Sequence, residues 1–141
     1  LMRGLIDALE YLPANSAYFR RTQAVFSELA DALIDVQQES GMWHTLPCMP
    51  PGESYPEVSG TALISYSLIK GHRKGFLEGE KYLGAGRKGI TAIKSFIGED
   101  GSIRNVSPGP GPLRTTKPYS EEGETDNEHG WGTVLLALAM E

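Results

Sequence analysis

Two short stretches decide the reading of this chain: Ser59-Gly60-Thr61-Ala62-Leu63 and Trp131-Gly132-Thr133-Val134-Leu135. Each opens a run that is apolar on nearly every side. The first continues through Ile64, Tyr66, Leu68 and Ile69, the second through Leu136, Leu138 and Met140. A helix without a polar face is a buried helix. Each run is preceded by a loop, and each loop by an amphipathic helix that stops at a glycine. Glu39-Ser40-Gly41-Met42-Trp43 ends one such helix and Glu99-Asp100-Gly101-Ser102-Ile103 the other. The stop glycines lie 60 residues apart and the helix threonines 72 apart, so the second loop is longer by 12. Amphipathic helix, loop and buried helix make an α/α hairpin repeat. Such units bury their faces only by stacking on neighbours.

Working outward, Leu5, Ile6, Leu9 and Leu12 predict a helix over 1–12, ended by Pro13. Asn15 or Ser16 caps the next helix, whose face carries Phe26, Leu29, Leu33 and Val36 and which runs to Ser40-Gly41. A Pro-rich loop, 42–57, leads to a third helix over 60–70. A fourth spans 80–97 with Leu83, Ile90, Ile93, Phe96 and Ile97 as its apolar set. A long loop over 105–127 leads to the last helix, from Glu128. Few stretches alternate with period two, so the expected class is all-α.

Composition narrows the function. The 141 residues are 40% hydrophobic and 22% charged, with a net charge of -5. That suits one globular domain, 1–141, and argues against a nucleic-acid or anionic-membrane partner. The single cysteine, Cys48, leaves no internal disulfide and no multi-cysteine metal site. His44, His72 and His129 are scattered, so neither metal nor cofactor is expected. Leu1 opens inside an amphipathic pattern with no signal-like region, so the expectation is a chain that starts in mid-helix as a piece of something longer. No apolar run approaches the ~20 residues that cross a bilayer.

The two loops fall at the same end of the repeat, where a rigid scaffold presents functional side chains. The first offers Trp43, His44, Tyr55, Glu57 and Ser59; the second offers Tyr119, Asp126, Asn127, His129 and Trp131. Aromatics beside carboxylates, amides and imidazoles suit sugars, whose ring faces stack and whose hydroxyls need paired donors and acceptors. Arg104, Arg114 and Lys117 are the basic groups available to an acidic sugar. Glu57, Ser59, Asp126 and Asn127 also stand where helix caps are wanted. Glu121, Glu122 and Glu124 read as a solvated loop. Gly79, Gly84, Gly86 and Gly89 sit in a helical context and are poor evidence for phosphate binding.

These residues resemble a family. Gly41-Met42-Trp43-His44, Tyr55-Pro56-Glu57-Val58-Ser59-Gly60-Thr61-Ala62 and Gly71-His72-Arg73-Lys74-Gly75-Phe76-Leu77 are similar to its GLW(H/Y)QV, YLE(A/T)SGTAM and KG(V)xxGxL run. Asp126-Asn127-Glu128-His129-Gly130-Trp131-Gly132-Thr133 is similar to its closing ND(P)HGVGAF. The family is the unsaturated rhamnogalacturonyl hydrolases, glycoside hydrolase family 105, with the related unsaturated glucuronyl hydrolases of family 88. Pro56 in place of Leu, and Asp126-Asn127-Glu128 in place of Asn-Asp-Pro, depart from the pattern.

The resemblance implies the C-terminal part of an (α/α)6 barrel and a cytoplasmic enzyme. Its substrate is an oligosaccharide ending in a 4,5-unsaturated uronate. The resemblance maps the family's acid/base aspartate upstream of Leu1, so no catalytic residue is assigned here. Trp43, His44, Glu57, Ser59, Asp126, Asn127 and His129 are the expected substrate-binding set. The alternatives are another (α/α)6 uronate enzyme, such as a lyase or isomerase, or a non-catalytic helical-repeat piece that binds carbohydrate. With apolar helices lacking neighbours, the isolated chain is expected to form a homo-oligomer.

Overall fold

The computed structural model describes residues 1–50, 53–109, 114–120 and 126–141. Six α-helices appear among them: α1 Met2–Leu9, α2 Ala17–Asp35, α3 Val58–Arg73, α4 Glu80–Ile93, α5 Lys117–Ser120 and α6 Glu128–Leu138. A 3-10 turn, Lys94–Phe96, prolongs α4. The β content of the described residues is two isolated bridges, His44 with Pro56 and Ile97 with Ile103. None of the described helices is long and apolar enough to cross a membrane.

The helices form two layers. α3 lies between α1 and α6, while α2 and α4 lie behind and touch each other. Two hydrophobic clusters fill the core, one toward α1 and α2 and the other toward α6. The first gathers Ile6, Phe26, Trp43, Leu68 and Tyr82, the second Val58, Ile69, Ile90, Ile103 and Val134. α3 supplies both clusters, which makes it the hinge of the core.

Local chemistry accounts for most boundaries. Ser16 caps α2 by accepting from the amide of Phe19 at 3.0 Å. Gly41 and Gly101 both adopt left-handed backbone, φ 92° and 85°, as their place after a helix requires. α2 stops five residues short of the expected end because tertiary bonds outbid the next helical turn. The Gln37 side-chain amide donates to the carbonyls of Gly41 at 2.8 Å and Ala85 at 3.0 Å, and the Gln38 amide to that of Met42. α3 begins at Val58, two residues earlier than its apolar pattern, because Glu57 caps it. The long second loop contains α5, which its sequence did not announce.

The glycines of α4 have a packing role. A Cβ on Gly86 would lie 2.6 Å from Cγ1 of Ile69, and one on Gly89 2.1 Å from Oγ of Ser65. They let α4 cross α3 at contact distance. An ion cluster fixes the other flank of α3: Lys70 meets Asp7 at 2.8 Å and Glu10 at 2.5 Å, and Lys74 meets Glu10 at 2.9 Å.

Candidate functional site

The entry to α3 and the loops on either side enclose a cavity of about 380 Å³, within the range of ligand pockets. Trp43, His44, Thr45 and Pro47 form one wall. Glu57, Gly60, Thr61 and Ile64 form the floor. Ser107, Gly109 and Tyr119 bring in the second loop.

Each polar group on the floor is tied down. The Thr61 hydroxyl accepts from the Trp43 amide at 3.0 Å and donates to the Glu57 carbonyl at 2.7 Å. The Trp43 indole N–H donates to the Leu33 carbonyl at 2.6 Å, and the residue is only 2% exposed. Trp43 therefore borders the cavity while belonging to the core behind it. His44 is half-buried, its Nδ1 3.4 Å from the Ser54 hydroxyl. The Glu57 carboxylate accepts from the amides of Ser59, Gly60 and Ser107 and from the Ser59 hydroxyl.

Of the seven expected substrate-binding residues, Trp43, His44 and Glu57 meet at this cavity. Ser59 lies just behind, its hydroxyl spent on Glu57 at 2.6 Å. Asp126, Asn127 and His129 lie at the entry to α6, outside the cavity lining. Asp126, at φ 56°, accepts from the Ile103 amide through its carboxylate and donates its own amide to the Ile103 carbonyl, both at 2.9 Å. Asn127 caps α6 by accepting from the His129 amide at 3.0 Å.

The basic groups named for an acidic sugar stand apart from the cavity. Arg104 donates to the Ser95 carbonyl at 2.7 Å and its guanidinium lies over the Phe96 ring, while Arg114 and Lys117 are exposed. Glu121, Glu122 and Glu124 lie outside the described residues. Among the described residues, no three His, Cys, Asp or Glu side chains gather where a metal ion would sit. Sequence reasoning missed Thr45, Ile64 and Ser107 as cavity residues. Ile64 reads as one more apolar helix position, and Ser107 enters through a contact between residues 50 positions apart.

The model of Glycosyl Hydrolase Family 88 matches residues 1–140. An unsaturated 3S-rhamnoglycuronyl hydrolase of Alteromonas sp. (strain LOR) is 29% identical over 135 residues, covering 93% of this chain and 30% of its own. The unsaturated rhamnogalacturonyl hydrolase YesR of Bacillus subtilis (strain 168) is 33% identical over 131 residues, covering 93% of this chain and 35% of its own. A solved structure from Salmonella enterica serovar Paratyphi A, described as a possible member of the GH105 family, superposes with a TM-score of 0.90 at 32% identity. It covers 99% of this chain and 36% of that one. The chain thus spans about a third of the length of these relatives.

Proposed function

The chain belongs to Glycosyl Hydrolase Family 88, and from that premise we propose that it forms part of an enzyme releasing a 4,5-unsaturated uronate from lyase-generated oligosaccharides such as rhamnogalacturonan fragments. In this reading it is the C-terminal part of an (α/α)6 ring, and the cavity at the entry to α3 is one wall of the substrate cleft. The family match over residues 1–140 carries the proposal. The cavity supports it, because its lining residues Trp43, His44, Glu57 and Thr61 fall in two of the motifs that resemble the family.

The chemistry is hydration of a double bond. An acid protonates C4, water adds at C5, and the resulting hydrated sugar opens and frees the remaining saccharide. Glu57 has its carboxylate occupied by hydrogen-bond donors of the fold. Following the family resemblance, the proposal assigns the proton donor to an aspartate in the remainder of the ring. Cytoplasmic location and action on small oligosaccharides complete the reading.

The test uses the whole protein and an unsaturated disaccharide. Turnover consumes the conjugated double bond, so its ultraviolet absorbance should disappear as free saccharide forms. Saccharide binding with the absorbance retained would overturn the proposal in favour of a binding role. The 141 residues alone are expected to be inactive and to self-associate, with α6 at the interface. Sedimentation as a monomer would defeat that second expectation.

A further inference from the structure

We propose that Glu57 is a positioning residue that locks the two cavity-forming loops to each other. Its carboxylate receives four donors: the Ser59 amide at 2.9 Å, the Ser59 hydroxyl at 2.6 Å, the Ser107 amide at 3.0 Å and the Gly60 amide. Three of these donors converge on Oε1, the cap donor Ser59 and the loop donor Ser107 among them, while Gly60 binds Oε2. A helix cap requires only the donors at the second and third helical positions, here Ser59 and Gly60. The bond to Ser107 is additional, and it reaches a loop 50 residues away.

The backbone around Glu57 repeats the connection in both directions. The Glu57 amide donates to the Trp43 carbonyl, and the Val58 amide to the Asn105 carbonyl, both at 3.0 Å. First loop, helix entry and second loop thus converge on one residue, and Trp43, Glu57 and Ser107 all face the cavity. Gly60 completes the device, since a Cβ there would lie 2.7 Å from Oε2 of Glu57. The length of one side chain sets the separation of the cavity's walls. Hydrogen bonds to a charged acceptor hold that separation more firmly than neutral ones.

Two substitutions separate the lock from the cap. Glu57→Asp retains a capping carboxylate but is one methylene short of Ser107; Glu57→Ala removes both functions. In the whole protein, Glu57→Asp should keep nearly the native melting temperature and kcat. KM should rise several-fold, because the walls of the cavity lose their fixed separation. This kinetic arm rests on the hydrolase reading, whereas a second arm does not. By nuclear magnetic resonance the Ser107 amide should exchange about tenfold faster in Glu57→Asp, with the interior of α3 still protected. Faster exchange in a protein that leaves the unsaturated sugar intact would sink the hydrolase reading and support the lock. Native exchange at Ser107 in Glu57→Asp would overturn the lock. So would a Glu57→Ala enzyme whose kcat falls about a thousandfold at unchanged KM, the mark of an acid or base group in contact with substrate.

Discussion

α3 and α6 occupy matching places in the two repeat units and have matching apolar sequences, yet they end up in different surroundings. α3 is covered by α1 on one side, α6 on the other and α4 behind. Its buried set includes Thr61, Ser65 and Ser67 beside Ala62, Leu68 and Ile69. α6 buries Gly130, Val134 and Ala137, while Trp131 and Leu135 remain 45% and 64% exposed. The difference teaches that an all-round apolar helix states a demand for neighbours. Whether the demand is met depends on the elements that stack beside it.

The two tryptophans give the sharpest way to break this comparison. Trp43→Ala removes an indole buried against α2 together with its bond to the Leu33 carbonyl, so urea unfolding should show a loss of about 3–5 kcal/mol. Trp131→Ala on the open side of α6 should cost less than about 1 kcal/mol in the same measurement, since most surface substitutions do. Equal losses would mean that Trp131 is covered.

The glycines sharpen it further, with opposite signs. Gly89→Ala drives a methyl group into Ser65 and the Trp43 ring, and the overpacking should cost about 1–3 kcal/mol. Gly132→Ala meets no atom within 4 Å and should stabilise α6 by about 0.5–1 kcal/mol through helix propensity alone. Thermal melts of the two variants should move in opposite directions.

Electrostatic pins distinguish the same two helices more gently. The ammonium groups of Lys70 and Lys74 hold the Glu10 carboxyl below its ordinary 4.5. A depressed pKa stabilises the fold fully above that ordinary value, and the contribution fades as pH drops through the folded-state value. Melting temperature should therefore fall on acidification below pH 4.5, and Glu10→Gln should flatten that part of the profile. On the other side, Lys94 meets Glu141 at 2.6 Å with both side chains half exposed. Lys94→Ala should change stability by about 0.5 kcal/mol or less, measured by denaturant titration.

Much of this architecture is legible in the residues because helical periodicity is local. Phe26 and Ala30 face the core at helical spacing, Gly41 turns left-handed, and Ser16 caps α2, each from its own neighbourhood in sequence. What escapes is whatever depends on distant partners. The early end of α2 comes from Gln37 reaching Ala85, 48 residues on. The burial of Trp43 comes from packing among residues of α1, α2, α3 and α4, which no feature of Trp43-His44 announces. Glu57 reads as a cap, and it is one; its bond to Ser107 appears only once both loops are in place. Asp126 likewise reads as a cap, but the carboxylate binds Ile103 and Asn127 caps the helix instead.

That pairing of Ile103 with Asp126, backbone to backbone in one direction and backbone to carboxylate in the other, closes the second loop at its neck. Asn105 and Ser107 also tie the start of this loop to the entry of α3, so a change of length is best placed after these ties. Changing its length there costs only closure entropy, which grows with the logarithm of length, so doubling such a loop costs about 0.6 kcal/mol. Beyond the ties, segments can therefore be exchanged or lengthened at small thermodynamic cost. The loop can then diversify while α4 and α6 keep their packing.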